Sequence, residues 1–412
     1  MKHNRPKTRI HIPVPNTRPG DTPDFSDINI PDVDECRRPN IETPAHEIDD
    51  LAYGLVRVLD KTHNARGEWA IEFDPQVLRN GLKHMLQMRL FDDRMFTLQR
   101  QGKLSFYMKC AGEEAVAVAA AYALRTGDML FPSYRQPALL LARGMSVVDM
   151  MCECLSNTHD MNKGRQLPVL YSWAGGGFFT ISGNLGTQVP QAVGWAMGAA
   201  YKDSDDIAVS WIGDGSTAEG DFHYALTFAS VYRAPVIINV VNNQWAISSF
   251  QGIAGGENCT FAARGHGFGI PGIRVDGNDF LAVYAVTAWA AERARAQQGP
   301  TVIELYTYRA EGHSSSDDPS KYRPRDDYAA WPLGDPVERL KQHLIQLGEW
   351  TESQHEAMTK QLTDEINQAY LEAESYGTVS SGPRLPVSSM FDDVYKELLP
   401  HLKQQREQLG ED

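Results

Sequence analysis

The sequence predicts an α/β fold in which helices cover both faces of a doubly wound parallel sheet. Between about residues 112 and 308, Ala-rich apolar segments alternate with short runs of β-branched residues, a pattern typical of such sheets. The chain has 412 residues, 42% of them hydrophobic, which is enough to fill the core of this sheet. We expect strands at 207–212, 236–241, 273–275 and 302–306.

Two segments flank the predicted sheet. Residues 1–45 contain eight prolines and little apolar periodicity, so we expect an extended arm rather than part of the core. The first helix should begin after Asp74, where a 3.6-residue apolar period starts. Residues 46–335 would then form the α/β domain. Residues 336–412, rich in Glu, Gln and Lys, would form a C-terminal helical segment whose last helix covers FDDVYKELL at 391–399.

The net charge of the chain excludes two classes of partner. The 39 basic and 53 acidic residues give a formal charge of −14, which argues against binding to nucleic acid or to an anionic membrane surface. The sequence has no apolar run long enough to span a bilayer, so we expect no membrane segment. Any phosphate site must therefore be local.

Cysteine usage and the N-terminal sequence indicate a reducing, cytoplasmic location. The five cysteines are an odd number without a CxxC pair, and Cys152 and Cys154 are best explained as buried thiols in a helix rather than a zinc site. The N-terminus lacks the apolar core of a signal peptide. Prolines 13, 15 and 19 would break the helix of a mitochondrial transit peptide. We therefore favour a bacterial cytoplasm over the mitochondrial matrix.

The short sequence Gly213-Asp214-Gly215 is the strongest indication of a functional site. It directly follows the predicted strand 207–212, and two glycines around a carboxylate allow the backbone to approach a ligand closely. The next strand ends at Asn242 and Asn243. Because ligands in parallel sheets bind beyond the carboxyl ends of the strands, a carboxylate and an amide oxygen should meet there, a donor set that suits Mg²⁺. GDG alone would be a common turn.

The third strand end carries His313. It lies on the loop after strand 302–306, after Arg309 and before a Ser-rich turn. An imidazole there could bind phosphate or donate a proton near neutral pH, and a surface histidine is the alternative. On another helix, Gly194 and Gly198 would permit close helix approach, either between subunits or within the chain.

A longer pattern resembles a known family. The 26 residues between GDG and Asn242-Asn243 match the spacing of the thiamine diphosphate motif. The segments QRQGKLSFYM, SYRQ, KGRQLP, TISGNLGTQVPQAVG, IRVDGND and YRAEGHSSSDD resemble E1 alpha subunits of branched-chain 2-oxo acid dehydrogenase complexes. The resemblance extends from about Leu98 to Tyr322 and implies the thiamine diphosphate-binding fold, specifically the half that binds the diphosphate.

The resemblance implies a ligand for each part of the cofactor. Asp214, the Asn243 side chain and the backbone carbonyl of Trp245 would hold Mg²⁺. Tyr134 and Arg135 would contact the diphosphate, because the forked guanidinium donors match phosphate oxygens. The other residues implied to contact the cofactor are Leu185, which would support its bent conformation, and Gly213, Gly215, Ser216, Arg309 and His313. His313 is also the candidate catalytic residue.

Other matches and departures concern the surroundings of the cofactor. Phe106, Tyr107 and Met108 are candidate walls of an aliphatic substrate pocket, with core packing as the alternative. The residues that match a loop holding a monovalent cation, such as K⁺, in relatives are Ser182, Asn184, Thr187 and Gln188, although Asn184 replaces a proline. The positions where some relatives carry Gln, Ser and Arg near the cofactor are Ser133, Gly183 and Val241.

The loop that carries His313 contains a regulatory site in mitochondrial relatives. Ser314 corresponds to a serine that is phosphorylated there. Pro324 stands where those relatives have their second phosphorylated serine, which argues against kinase control of this chain.

The resemblance implies the activity of a 3-methyl-2-oxobutanoate dehydrogenase, the E1 enzyme of branched-chain amino acid catabolism. It would oxidatively decarboxylate small branched-chain 2-oxo acids with thiamine diphosphate and transfer the acyl group to the lipoyl domain of the E2 acyltransferase core. Relatives activate the cofactor with a glutamate on a second α/β domain, whereas this chain has room for one such domain. We therefore expect an obligate α2β2 heterotetramer with an E1 beta subunit.

Three alternatives remain at the level of sequence. The nearest is an E1 alpha subunit acting on pyruvate or acetoin. Another is a non-enzymatic regulatory subunit that binds thiamine diphosphate, which the retention of Asp214, Asn243, Arg135 and His313 opposes. The third, an unrelated Mg²⁺ phosphohydrolase, would need a nucleophile or base beside Asp214 that the sequence does not supply.

Overall fold

The computed structural model describes residues 10–410 and is built around a parallel sheet. The strands in chain order are β1 (Met129–Phe131), β2 (Ala208–Gly213), β3 (Val236–Asn242), β4 (Trp245–Ala246), β5 (Ser249–Phe250), β6 (Gly272–Asp276) and β7 (Thr301–Tyr306). Five of them form the main sheet in the order β1-β2-β3-β7-β6, with every pair parallel, and β4 and β5 form a small antiparallel hairpin. The four predicted strands are confirmed, whereas β1 was missed because it is so short.

Ten α-helices surround the sheet within the described residues. They are α1 (Pro75–Arg100), α2 (Glu114–Ala123), α3 (Ala138–Arg143), α4 (Val147–Leu155), α5 (Gln188–Tyr201), α6 (Gly220–Val231), α7 (Phe280–Arg295), α8 (Pro336–Gln346), α9 (Glu352–Ser375) and α10 (Pro400–Gln408). Helix α1 begins where the sequence predicts, because the Asp74 side chain caps the Gln76 amide and Pro75 occupies the first turn.

The sheet separates two hydrophobic cores. Along β3, Ile237 and Val241 point to the face covered by α1, α2 and α7, whereas Ile238 and Val240 point to the face covered by α5 and α6. This alternation follows from the two-residue period of a strand, and burial on both faces explains why β3 is apolar almost throughout. The doubly wound α/β fold is therefore confirmed.

The N-terminal arm is extended, but it packs on the domain more closely than expected. Cys36 is buried in the larger core, and Phe25 packs edge-on against Tyr308 and Trp331. The Trp289 indole donates a hydrogen bond to the Pro39 carbonyl at 2.9 Å. The expectation that the arm contributes nothing to the core is therefore wrong for these residues, because proline-rich backbone still presents apolar side chains and carbonyl acceptors. Residues 1–9 of the predicted arm lie outside the described part of the chain.

The C-terminal segment differs from the prediction at one element. Helices α8 and α9 pack against α1, but residues 391–399 form no α-helix, and α10 begins only at Pro400. Val394 and Tyr395 are exposed there, so this stretch lacks the packing that a short helix needs. The division into arm, α/β domain and C-terminal segment stays a prediction.

Two further expectations concerned the cysteines and membrane-spanning segments. Cys152 and Cys154 are free and buried within α4, as predicted. Across residues 10–410, no helix combines the length and the apolar character required to cross a membrane.

Helix α4 also buries an unpaired acid. Glu153 is 2% exposed, and neither carboxylate oxygen has a hydrogen-bond partner among the residues that the structure describes. Burial, reinforced by the nearby charge of Asp160, raises the pKa of Glu153 to about 9. Between its ordinary pKa and this value, the folded protein holds a proton that the unfolded chain releases. The contribution of Glu153 therefore lowers stability progressively as the pH rises through this window.

We expect Glu153→Gln to stabilise the protein at pH 8 and to change little at pH 5. The amide needs no bound proton, so the variant avoids a loss of up to about 1.4 kcal/mol for each pH unit. Thermal unfolding midpoints measured at pH 5, 6.5 and 8 would test this. Glu292→Gln, an exposed change on α7, serves as the control. Parallel pH profiles for wild type and Glu153→Gln would contradict the expectation.

Candidate functional site

A cavity of about 430 Å³ opens at the carboxyl ends of β1, β2 and β3. Most of the predicted site residues line it together: Phe106, Met108, Tyr134, Arg135, Ser182, Leu185, Gln188, Gly213, Asp214, Gly215, Ser216, Asn243, Trp245 and His313. The cavity also includes Ser133, Gly183 and Val241, the three departures from the family pattern. The parallel arrangement of the strands brings these distant segments to one edge.

Asp214 stands at the end of β2 with one oxygen free. The side chain is 2% exposed, Oδ1 accepts the Gly215 amide at 2.8 Å, and Oδ2 is buried without a partner among residues 10–410. Gly215 is required here, because a Cβ at this position would collide with the Cβ of Ala246 in the neighbouring hairpin. The turn therefore holds a carboxylate at the cavity wall, with the hairpin packed close behind it.

The surroundings of Asp214 suit a cation. Burial raises the pKa of its carboxyl to about 7, although the Gly215 amide and the Arg309 charge act in the opposite direction. Within residues 10–410, no group of three or more His, Cys, Asp or Glu side chains is placed to hold a metal ion. A divalent ion at Asp214 would therefore need oxygens from an amide, from the backbone and from a bound ligand. Asn243 and the Trp245 carbonyl supply the first two types nearby.

Arg309 lies behind this wall and does not line the cavity. It is 1% exposed, and its Nη1 donates to the Trp245 carbonyl at 3.1 Å. Its Nη2 donates to the Ile247 carbonyl at 2.9 Å and to the Tyr322 hydroxyl at 2.6 Å. Arg309 therefore fixes the chain that carries the predicted carbonyl ligand, and a carbonyl that accepts one hydrogen bond keeps a second lone pair.

Arg135 lines the cavity but uses some of its donors on protein groups. Nη1 donates to the Lys109 carbonyl at 2.6 Å, and Nη2 lies 3.0 Å from the His313 carbonyl and 3.2 Å from His313 Nδ1. Tyr134 packs edge-on against the same imidazole. These contacts join the SYRQ segment to the His313 loop. These contacts use at most three of the five N–H donors of the guanidinium, so donors remain for a diphosphate.

His313 is neutral in this environment. Burial, followed by the charges of Arg135 and Arg309, lowers the pKa of its imidazole to about 3. The proximity of an Arg135 donor to Nδ1 favours the tautomer that carries its proton on Nε2. The expectation of an imidazole that titrates near neutrality is therefore not met. His313 can donate a hydrogen bond as a neutral group.

The SFYM segment contains both residues that line the cavity and one residue that packs in the core. Phe106 and Met108 line the cavity, whereas the Tyr107 side chain is fully buried beneath them. Its hydroxyl donates to Asp92 Oδ1 at 2.7 Å, and the Cys110 amide donates to Asp92 Oδ2 at 2.7 Å. For Tyr107, the placement agrees with the core alternative and not with a pocket wall.

Tyr107 also joins this segment to the loop that carries His313. Its backbone amide donates to Ser315 Oγ at 3.1 Å, and the Ser315 backbone amide donates to the Tyr107 carbonyl at 2.8 Å. The same residue therefore fixes two walls of the cavity.

The 182–188 turn lies at the cavity mouth. Ser182 and Gln188 line the cavity, whereas Asn184 and Thr187 do not. Thr187 Oγ1 donates to the backbone carbonyl of Asn184 at 2.9 Å, and the backbone amide of Asn184 donates to Ser182 Oγ at 3.1 Å. These polar groups satisfy one another, so the turn gives no separate indication of a monovalent cation, and the K⁺ site stays a prediction.

Sequence reasoning missed one acidic member of the cavity wall. Glu113, just before α2, is 1% exposed and lines the cavity, and Asn243 donates to its Oε1 at 2.7 Å. The signal was two adjacent acids in the otherwise apolar run CAGEEAVAVAAAYAL. Acids are common at helix N-termini, so this pattern alone does not distinguish a site residue from a helix start. The missed apolar wall residues include Leu167, Leu170 and Ile247.

Comparison with known proteins assigns most of the chain to two family models. Residues 82–381 match the dehydrogenase E1 component, and residues 6–46 match the 2-oxoisovalerate dehydrogenase E1 alpha subunit N terminal.

Three relatives show how far the similarity extends. A Pseudomonas aeruginosa protein named 2-oxoisovalerate dehydrogenase subunit alpha is 58% identical, with 98% of each chain covered. A Mycobacterium tuberculosis protein named 3-methyl-2-oxobutanoate dehydrogenase subunit alpha is 39% identical, covering 85% of this chain and 91% of its own. The human mitochondrial 2-oxoisovalerate dehydrogenase subunit alpha is 39% identical, covering 80% of this chain and 72% of its own.

We expect Tyr107→Phe to loosen the cavity wall. The change removes the hydroxyl donor of buried Asp92 and should cost about 1–3 kcal/mol of stability. Hydrogen exchange should become faster at the Cys110 and Ser315 amides. Tyr122→Phe is the control, because its hydroxyl contacts His84 away from the cavity. Unchanged exchange at both amides would contradict the anchoring role.

Proposed function

This chain belongs to the dehydrogenase E1 component family, and we propose that it is the alpha subunit of an enzyme that oxidatively decarboxylates branched-chain 2-oxo acids. The observation that carries the proposal is the buried, unpartnered Oδ2 of Asp214, which lies beside Asn243 in a cavity at the strand ends. The names of three relatives from distant organisms support the same activity.

Thiamine diphosphate and Mg²⁺ fit the residues of the cavity. Asp214, Asn243 and the Trp245 carbonyl would hold the metal, since all three offer the hard oxygens that Mg²⁺ prefers. Gly213 and Gly215 line the cavity without side chains, so backbone would lie near a bound phosphate. When bound, this cofactor supplies the nucleophilic carbanion and the electron sink that decarboxylation of a 2-oxo acid requires.

The rest of the cavity supplies orientation and an apolar surface. Phe106, Met108 and Leu185 present apolar side chains that would exclude water and accept an aliphatic substrate. His313, neutral and oriented by Arg135, would donate a hydrogen bond to a phosphate oxygen or to an oxygen of the substrate. The same walls could accept pyruvate or acetoin, which remain the alternative substrates.

The proposed partners follow from the name of the family component and from chain size. An alpha subunit implies a beta subunit, and we propose an α2β2 heterotetramer in which the beta chain completes the cofactor site. The acyl product would pass to the lipoyl group of an E2 acyltransferase core. A location in a bacterial cytoplasm, expected from the N-terminal sequence, stays a prediction.

Co-expression with a beta chain tests the activity. The purified complex should reduce an artificial electron acceptor with 2-oxoisovalerate, and more slowly or not at all with pyruvate or acetoin. The alpha chain alone should be inactive with every substrate, because half of the cofactor site is missing. Preference for pyruvate or acetoin would favour the alternative substrates, and appreciable turnover by the alpha chain alone would refute the requirement for a partner.

Asp214→Asn should weaken Mg²⁺-dependent binding of thiamine diphosphate by at least about 100-fold, because the proposed ligand set loses its carboxylate. Titration calorimetry of the complex with Mg²⁺ and the cofactor measures this.

Asp276→Asn is the matched control. Asp276 is also a fully buried acid at a strand end, but it pairs with Arg57 and Arg339 instead of lining the cavity. This control should lower the thermal midpoint and leave cofactor affinity unchanged. Equal losses of affinity in the two variants would mean that Asp214 acts only through the fold.

A further inference from the structure

Glu113 is a buried acid in the cavity wall that is not one of the proposed ligands of the cofactor or the metal. It precedes α2, and its amide donates to the Cys110 carbonyl at 2.9 Å, which fixes its backbone. Oε1 accepts a hydrogen bond from Asn243 and lies 3.8 Å from Arg135 Nε, whereas Oε2 is buried and has no partner in the described part of the chain. An acid is an unusual choice for a site with almost no exposure unless it has a specific partner.

The partner in contact is the amide of Asn243, which is held at both ends. Asn243 Nδ2 donates to Glu113 Oε1 at 2.7 Å, and the Trp245 amide donates to Asn243 Oδ1 at 3.2 Å. A side-chain amide has nearly the same shape in its two orientations but presents either an oxygen or an NH₂ group. The flipped amide would place an oxygen against the Glu113 carboxylate and an NH₂ against the Trp245 amide, so both contacts would be lost.

We infer that Glu113 is a positioning residue that keeps the oxygen of Asn243, and not its nitrogen, available to the metal ion. This inference rests on the proposed function, in which Asn243 is a ligand of Mg²⁺. A cation cannot bind an amide NH₂ group, so an amide that samples both orientations binds the metal more weakly. The Trp245 contact alone, at 3.2 Å, is the weaker of the two restraints.

The position of Glu113 is itself restrained by the arginine beside it. Arg135 is held by the Lys109 and His313 carbonyls, so its guanidinium provides a fixed positive charge near Oε1. The sequence therefore builds a chain of contacts from the SYRQ segment through Glu113 to Asn243. Removing a partner that orients a metal ligand typically weakens metal affinity 10- to 100-fold.

The test measures Mn²⁺ as a probe for Mg²⁺, using electron paramagnetic resonance on the αβ complex with saturating thiamine diphosphate. Glu113→Ala should raise the Mn²⁺ dissociation constant about 10- to 100-fold. Glu113→Gln should remain near wild type, because its amide oxygen can still accept from Asn243. Glu113→Leu, which fills the same space without an acceptor, replaces Glu113→Ala if that variant fails to assemble.

The most informative comparison repeats Glu113→Ala in a protein that also carries Asn243→Asp. A carboxylate presents an oxygen in either orientation, so Glu113→Ala should cost little or nothing when Asn243 is already Asp. Glu114→Gln is the control for general loosening, because this adjacent buried acid pairs with Arg89 and does not line the cavity. It should leave the dissociation constant unchanged.

Three results would overturn the inference. The first is that Glu113→Ala raises the Mn²⁺ dissociation constant equally in the Asn243 and Asn243→Asp backgrounds. The second is that Glu113→Gln raises this constant as much as Glu113→Ala does. The third is that Glu113→Ala and Glu113→Leu both keep the wild-type Mn²⁺ affinity. The second result would indicate that Glu113 ligates the ion directly. If the wild-type complex binds no Mn²⁺ with thiamine diphosphate, the proposed function itself fails, and this inference fails with it.

Discussion

The buried Oδ2 of Asp214 is the constraint on which the rest of the site depends. A carboxylate oxygen without a hydrogen bond is costly in a protein interior, and here it belongs to a residue that lines a cavity where three parallel strands end. A divalent ion would remove that cost, because it interacts strongly with the charged form of the acid. The fold therefore keeps an unfavourable group in place, and the binding of a metal and a phosphate-bearing ligand would compensate for it.

The arginines of the site mainly connect loops to one another through hydrogen bonds. Arg309 connects the Trp245 carbonyl to Tyr322, and the Tyr322 hydroxyl donates to Asp317, which also accepts the His313 amide. The wall that carries the predicted metal ligand and the loop that carries the imidazole are thereby parts of one hydrogen-bonded unit. Such a unit gives each polar group a defined position before any ligand arrives, which is the purpose of preorganisation in an active site.

Sequence patterns predicted the framework because they record local physics. Short runs of β-branched residues identified four strands to within one residue, and GDG and Asn242-Asn243 each follow a strand end. The parallel connection then required Asp214 and Asn243 to lie near the same edge. The same reasoning missed β1, whose three residues are too few to show a period, and placed a helix at 391–399 where no partner packs against it.

The sequence by itself determined the fold class, the edge of the sheet where the candidate site lies and most of the residues that meet there. Only the tertiary structure decided that Tyr107 points inward to Asp92 while its neighbours face the cavity, and that Glu113 contacts Asn243 across 130 positions of the chain. It also decided that His313 is neutral, because burial and two arginines from separate segments lower its pKa. Side-chain direction, burial and long-range pairing depend on segments distant in the sequence, and local patterns carry no record of them.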